Sequence, residues 1–162
     1  MNTDFQDKYV WVTGAGQGIG YDTACAFHQA GAHVIGFDQQ FTGDHYPFSC
    51  LVMDVSDPHQ VAEVCQMQLV QQPHLDVLVN AAGILRIGAT DALSFDDWQA
   101  CLNVNAGGAF NLFSQTLPLF RQQGFGSIVT VASNSAHAPR LGMSAYGASK
   151  AALRSLCQTV GL

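Results

Sequence analysis

The sequence is poor in charge and has no long hydrophobic run. Only 6 Lys and Arg and 12 Asp and Glu occur among 162 residues, and the few cations form no cluster. This scarcity excludes the basic patch of a nucleic-acid-binding protein and the polybasic segment of a membrane-anchored one. Hydrophobic residues make up 48% of the chain, which excludes a disordered chain. We therefore expect one globular domain over residues 1–162, with no nucleic-acid or membrane partner.

Cysteine pairs at short spacing and clustered histidines are also missing. The five cysteines are an odd number without a CxxC pair, and the six histidines are scattered. This pattern predicts reduced thiols and no metal site. The segment Met1–Asp7 lacks the basic start of a secretory signal, so the expected location is the cytoplasm.

Apolar, strand-length runs alternate with helix-period segments along the chain. The runs are continuous rather than alternating apolar and polar, which is typical of parallel strands covered on both faces. Such alternation predicts a doubly wound, Rossmann-like parallel α/β sheet. The predicted strands are Tyr9–Thr13, His33–Asp38, Cys50–Asp54, Asp76–Asn80 and Ser127–Ser133.

Capping signals mark where the helices begin. Asp57 before Pro58 is an N-cap followed by proline at the first helical position. Ser94, with Asp97 three residues later, resembles a capping box and opens a long helix predicted to reach about Arg121. A last helix is predicted from Ser144 onwards.

A glycine-rich loop lies between the first predicted strand and helix. Its glycines follow the spacing G-x-x-x-G-x-G, and no Lys-Ser/Thr follows, which excludes a P-loop. Backbone without Cβ atoms at a helix N-terminus can approach a pyrophosphate closely, although a tight strand–helix turn would also need glycine. The predicted cofactor-binding residues of this loop are Gly14, Gly18, Ile19 and Gly20.

Acidic residues end the second and third predicted strands. Asp38 is placed to accept hydrogen bonds from the adenosine ribose hydroxyls and to repel a 2′-phosphate, which favours NAD over NADP. Asp54 and Val55 are predicted to contact adenine. The alternatives are an ordinary strand-end carboxylate at Asp38 and a turn-forming aspartate at Asp54.

Tyr146 and Lys150 share one face of the last helix, because they are four residues apart. A phenol has a pKa of about 10 and is a poor base, but a neighbouring ammonium favours the phenolate. Tyr146 can then take the proton of a substrate alcohol. Ser133 ends the fifth predicted strand, at the edge of a parallel sheet that borders the ligand crevice, and can hold the substrate oxygen.

These residues resemble the short-chain dehydrogenase/reductase family in order and spacing. The resemblance implies Tyr146 as acid/base, Lys150 as its activator and a ligand of the nicotinamide ribose, and Ser133 as a ligand of the substrate oxygen. It also implies a catalytic role for Asn105, which would position a water; a helix residue bonded to a backbone carbonyl is the alternative. The segment Asn80, Ala81, Ala82 and Gly83 would line the NAD cofactor.

Within the family, the chain resembles an NAD-dependent dehydrogenase of a cyclic diol carboxylate. Three cationic or titratable residues are candidate ligands for the substrate carboxylate, namely Arg86, Arg140 and His137. The alternatives are a 3-oxoacyl carrier-protein reductase, a polyol dehydrogenase or an inactive cofactor-binding fragment. The resemblance further implies that the full-length protein is a homotetramer.

Five strands are one fewer than the order 3-2-1-4-5-6 of a doubly wound sheet requires. We therefore expect the sequence to be incomplete at its C-terminus. The apolar edge Ile128–Ala132 would then be unpaired, and we expect residues 1–162 alone to aggregate and to be inactive.

Overall fold

The computed structural model describes residues 5–161 and contains one five-stranded parallel sheet. The first four residues, part of the segment examined for a targeting signal, and Leu162 lie outside the described residues. The strands are β1 Tyr9–Thr13, β2 His33–Asp38, β3 Ser49–Val52, β4 Val77–Asn80 and β5 Ser127–Thr130. Their order is β3-β2-β1-β4-β5 and all four pairings are parallel, which confirms the predicted fold class.

Five α-helices cover the two faces of the sheet. They are α1 Gly18–Gln29, α2 Pro58–Gln71, α3 Phe95–Leu102, α4 Gly108–Gln123 and α5 Ser144–Val160. Both predicted caps are confirmed, since Asp57 accepts from the N–H groups of His59 and Gln60 and Ser94 accepts from that of Asp97. No helix of the described chain is both long and apolar enough to cross a bilayer.

The predicted long helix after Ser94 is wrong in one respect, because it is not continuous. A π-helical segment, Asn103–Gly107, separates α3 from α4. The wider turn places the buried Asn105 side chain against the loop after β4. Such segments occur frequently at functional sites.

Two predicted strands also extend too far at their carboxyl ends. β3 ends at Val52, and Asp54 lies in the following loop, where its carboxylate accepts from the N–H and hydroxyl of Ser56. β5 ends at Thr130, although the Val131 N–H still bonds the Asn80 carbonyl at 3.0 Å. Ser133 consequently lies in the loop beyond β5.

The apolar core lies on both sides of the central strands. On one side Trp11, only 3% exposed, packs edge-to-face against Phe37 with ring centroids 5.4 Å apart. Phe113 and Leu153, from α4 and α5, belong to the same cluster. This packing fixes the carboxyl ends of β1 and β2, where the glycine loop and Asp38 are found.

The opposite, amino end of the sheet carries a charged cluster around Asp76. Its carboxylate accepts from the Tyr9 N–H at 2.9 Å and from Lys8 Nζ at 3.0 Å, and His74 Nε2 lies 3.2 Å away. Burial alone would raise the pKa of Asp76, but these three partners outweigh it and hold the pKa below its ordinary value. The carboxylate therefore stabilises the fold at neutral pH.

We expect Asp76→Asn to lower the free energy of unfolding by about 1–3 kcal/mol at pH 7, the scale of hydrogen bonds to a charged group. A depressed carboxyl pKa contributes stability above the unfolded value of about 3.9, and this contribution is lost as the pH falls through the folded pKa. The difference between wild type and variant should therefore shrink below about pH 4. Urea unfolding from pH 7 to pH 3 measures it, with the exposed Asp91→Asn as control. An undiminished difference at pH 3 would contradict the assignment.

Candidate active site

A cleft of about 380 Å³ lies at the carboxyl ends of β1, β2 and β4. The glycine loop between β1 and α1 forms one wall. A Cβ at Gly20 would lie 2.1 Å from the Gly14 carbonyl oxygen, so only glycine allows this tight turn. The N-cap of α1, Gln17, makes no side-chain capping bond, which leaves the first N–H groups of the helix available to an anion. The loop thus fits a dinucleotide pyrophosphate.

Most predicted cofactor residues line this cleft. They are Gly14, Ile19, Gly20, Asp38, Val55, Ala81, Ala82 and Gly83. The other predicted cofactor residues are not among those that line it, namely Gly18, Asp54, Asn80, Tyr146 and Lys150. Asn80 is buried and its Oδ1 accepts from the Thr13 hydroxyl at 3.2 Å, which ties the loops after β1 and β4 together. Asp54 forms a turn, as the structural alternative for it predicts.

Asp38 ends β2 beside the glycine loop. Its Oδ2 accepts from the Gly16 N–H at 2.9 Å, and its Oδ1 from the Gln40 N–H at 3.4 Å. These two bonds fix the orientation of the carboxylate at the edge of the cleft. Its binding of a ribose stays a prediction.

Tyr146 and Lys150 lie on the same face of α5, as predicted. Lys150 Nζ is 5.9 Å from the centre of the Tyr146 ring and donates to the Val131 carbonyl at 2.9 Å. Burial lowers the pKa of Lys150, which is only 4% exposed. Among the described residues no carboxylate forms an ion pair with it. The activation of Tyr146 by this ammonium stays a prediction.

Ser133 lies in the loop that follows β5 and precedes a short 3₁₀ turn, Asn134–Ala136. Its hydroxyl oxygen accepts from the Ser135 N–H at 3.1 Å, which caps the turn. The hydroxyl proton is not used in that bond. Ser133 can therefore still donate to a substrate oxygen, and that role stays a prediction.

Asn105 uses its whole amide within the protein. Its Oδ1 accepts from the Ile84 N–H at 2.8 Å, and its Nδ2 donates to the Ile84 carbonyl and to Ser149 Oγ, each at 2.9 Å. A Cβ placed on Gly83 would lie 3.1 Å from Asn105 Oδ1 and 3.4 Å from Lys150 Nζ. Asn105 and Lys150 thus flank the same loop. The bond from Asn105 to the Ile84 carbonyl matches the alternative expected from the sequence, a helix residue bonded to a backbone carbonyl. The water-positioning role of Asn105 stays a prediction.

The three candidates for the substrate carboxylate lie in two different places. Arg86 Nε pairs with Asp97 Oδ1 at 3.1 Å. Arg140 and His137 are exposed and line a separate cavity of about 490 Å³ beside the start of α5. Neither Ser133 nor Tyr146 is among the described residues that line it. The structure does not bring the three side chains together.

The cleft also contains residues that the sequence did not single out as ligands. These are Gln17, Phe37, Gln39, Gln40, Met53, Ile84 and Val104. Most of them adjoin predicted residues at strand ends or in the glycine loop. Counting one or two positions on either side of each strand end would have found Phe37, Gln39, Gln40 and Met53. Val104 lies in the π-helical segment, and no local pattern in the sequence predicts that it reaches the cleft.

This arrangement defines a Rossmann-like dinucleotide-binding fold with a Tyr–Lys pair beside the cleft. Residues 8–162 match the short chain dehydrogenase family, and the chain belongs to it. The family uses the nicotinamide cofactors NAD or NADP. A protein from Beutenbergia cavernae described as an NAD(P)-dependent gluconate 5-dehydrogenase, solved with NADP at low occupancy, superposes with a TM-score of 0.87 and 30% identity. That match covers 97% of this chain and 66% of the other.

Two further comparisons extend the similarity over nearly the whole chain. The chain is 66% identical over 159 residues to 2,3-dihydro-2,3-dihydroxybenzoate dehydrogenase of Escherichia coli, covering 98% of this chain. The aldohexose dehydrogenase of Thermoplasma acidophilum superposes with a TM-score of 0.91 at 30% identity, covering 98% of this chain. The chain spans 64% of the length of the first relative and 62% of the second.

Proposed function

We propose that the protein oxidises 2,3-dihydro-2,3-dihydroxybenzoate to 2,3-dihydroxybenzoate with NAD⁺, in the cytoplasm, as a step of catecholate (enterobactin-type) siderophore biosynthesis. The observation that carries the proposal is the pairing of half-buried Tyr146 with buried Lys150 in a chain 66% identical to the Escherichia coli enzyme. The intact protein is proposed to be a homotetramer, as the family resemblance implies.

The proposed reaction removes a hydride and a proton from one secondary alcohol of the diol. NAD⁺, which the glycine loop and Asp38 would hold, would supply the acceptor for the hydride of the carbinol carbon. Tyr146 takes the hydroxyl proton, while Ser133 donates to the same oxygen and holds it in place. Lys150 stabilises the phenolate before the proton is transferred. The carbonyl product then tautomerises to the aromatic diol, and aromatisation makes the overall oxidation favourable.

The test is NADH formation by the intact protein from the dihydrodiol, with the aromatic product identified by mass. A 3-oxoacyl thioester with NADPH and a polyol with NAD⁺ serve as competing substrates. Faster turnover of either would replace the proposed substrate. Cofactor binding without turnover of any of them would favour the alternative of an inactive cofactor-binding protein.

The proposed preference for NAD⁺ over NADP⁺ depends on Asp38, whose carboxylate would face a 2′-phosphate. We expect Asp38→Ala to reduce the preference by about 1–3 kcal/mol, the scale of a charge-assisted hydrogen bond. The measurement is kcat/KM with each cofactor, with Asp22→Ala, an exposed carboxylate on α1, as control. A wild-type preference for NADP⁺ would refute the role given to Asp38.

For the substrate carboxylate, Arg140 is the better candidate than Arg86. Among the described residues Arg140 forms no ion pair, whereas Arg86 is already paired with Asp97. We expect Arg140→Ala to raise KM for the carboxylated diol about 10- to 100-fold, and Arg86→Ala to raise it less. A diol without the carboxylate should show no change with either variant. Unchanged KM in both would place the carboxylate elsewhere, with His137→Ala the next variant to test.

A further inference from the structure

The segment between β2 and β3 folds back over the glycine loop and is anchored there by Tyr46. The Tyr46 hydroxyl donates to the Gly16 carbonyl at 3.0 Å and accepts from the Gly43 N–H at 2.9 Å. The residues from Thr42 to His45 are exposed, but Tyr46 itself is half-buried. A loop with little packing of its own is thus attached to the loop that forms one wall of the cleft.

Aromatic neighbours fix the position of the Tyr46 ring. It packs edge-to-face against Phe41, Phe48 and Tyr21, with centroids 5.0, 5.7 and 5.7 Å apart. Tyr21 belongs to α1, and Phe48 is buried before β3. The hydroxyl is therefore presented to Gly16 by a ring held on three sides, rather than by a side chain free to rotate.

The other side of the Gly16 residue contacts Asp38. The Gly16 N–H donates to Asp38 Oδ2 at 2.9 Å, while its carbonyl accepts from Tyr46. A Cβ at Gly16 would lie 2.9 Å from Asp38 Cγ and 2.6 Å from the Gln40 carbonyl oxygen, so the backbone and the carboxylate are in direct contact. Gly16 is held between the tyrosine hydroxyl and the aspartate.

We propose that Tyr46 is a positioning residue for the adenosine half of the cofactor. By holding the Gly16 carbonyl, it fixes the Gly16 N–H that orients the Asp38 carboxylate towards the ribose hydroxyls. The inference rests on the proposed function, because that assigns the ribose to Asp38. It adds a residue outside the cleft lining that sets both affinity for the adenosine half and discrimination against a 2′-phosphate.

Tyr46→Phe in the intact protein removes the hydroxyl and keeps the ring packing. We expect it to weaken binding of ADP-ribose, which lacks the nicotinamide, about 3- to 10-fold, the effect of one ordinary hydrogen bond. The preference for NAD⁺ over NADP⁺, measured as the ratio of the two kcat/KM values, should fall by a similar factor. The kcat at saturating NAD⁺ should change less than twofold, since the chemistry lies at the other end of the cofactor.

Tyr21→Phe is the matched control. Tyr21 belongs to the same aromatic cluster, but its hydroxyl lies near Cys25 on α1 rather than at the Gly16 carbonyl. We expect Tyr21→Phe to leave the dissociation constant of ADP-ribose unchanged. It should change the melting temperature by about as much as Tyr46→Phe does. Equal losses of ADP-ribose affinity in the two variants would reduce Tyr46 to a packing residue and overturn the proposal.

A double-mutant cycle with Asp38→Asn tests the route of the effect. If Tyr46 acts through the carboxylate, Tyr46→Phe should change the discrimination against a 2′-phosphate far less in the Asp38→Asn background. An undiminished effect there, or wild-type ADP-ribose affinity in Tyr46→Phe, overturns the proposal. A preference of the wild-type protein for NADP⁺ would instead refute the assignment of NAD as the cofactor. The coupling energy between Tyr46→Phe and Asp38→Asn in ADP-ribose binding would still decide the role of Tyr46.

Discussion

Tyr146→Phe is expected to lower kcat by about 10²–10⁴, the usual contribution of general acid–base catalysis. The substitution keeps the ring near Lys150 and removes the only oxygen able to take the alcohol proton in the proposed reaction. Affinity for NADH should change little, because the glycine loop and Asp38 are untouched. Steady-state rates with the dihydrodiol and titration of NADH fluorescence measure the two effects separately.

Tyr9→Phe is the control for this experiment. Tyr9 lies at the amino end of β1, where its ring stacks on His33 with centroids 4.9 Å apart. Tyr9→Phe removes the same hydroxyl group at the opposite end of the sheet, so its kcat should stay within a factor of about two of the wild-type value. Near-normal turnover in Tyr146→Phe would remove Tyr146 from the mechanism.

Asn105→Ala is expected to lower the free energy of unfolding by about 2–4 kcal/mol. The variant leaves the Ile84 N–H and carbonyl without their partners and removes the acceptor and donors of a fully buried amide. Ile84 lines the cleft, so binding of NADH should weaken as well. Urea unfolding and NADH titration measure the two consequences.

Asn103→Ala provides a matched control within the same π-helical segment. Its Oδ1 accepts from Gln99 Nε2 at 2.8 Å, but on the exposed side of the helix. Its cost should stay below about 0.5 kcal/mol, as is usual for surface substitutions. Equal costs for the two alanine variants would show that the Asn105 network adds nothing to the stability of this segment.

Local signals were sufficient for much of the fold. Asp57 before Pro58 and Ser94 before Asp97 supply their own hydrogen bonds, so the helix starts are encoded within a few residues. The continuous apolar runs located all five strands, because both faces of a parallel sheet are covered. The spacing of Tyr146 and Lys150 also placed them on one face of α5.

The features that were missed depend on contacts between distant parts of the chain. The π-helical segment is associated with the bonds from Asn105 to Ile84 and Ser149, which no periodicity in the sequence reveals. The anchoring of Gly16 by Tyr46 joins residues 30 positions apart. β5 was predicted too long because Val131 and Ala132 are apolar, although Val131 instead offers its carbonyl to Lys150.

The packing of Trp11 against Phe37 gives the protein an optical reporter. Phe37 lines the cleft, so the indole lies one side chain away from the cofactor position. Indole emission overlaps the absorption of reduced nicotinamide, so energy transfer from the indole can report NADH bound in the cleft. Since the chain has two tryptophans, Trp98→Phe would leave Trp11 as the single donor. Occupancy of the cleft can then be followed by fluorescence without labelling the protein.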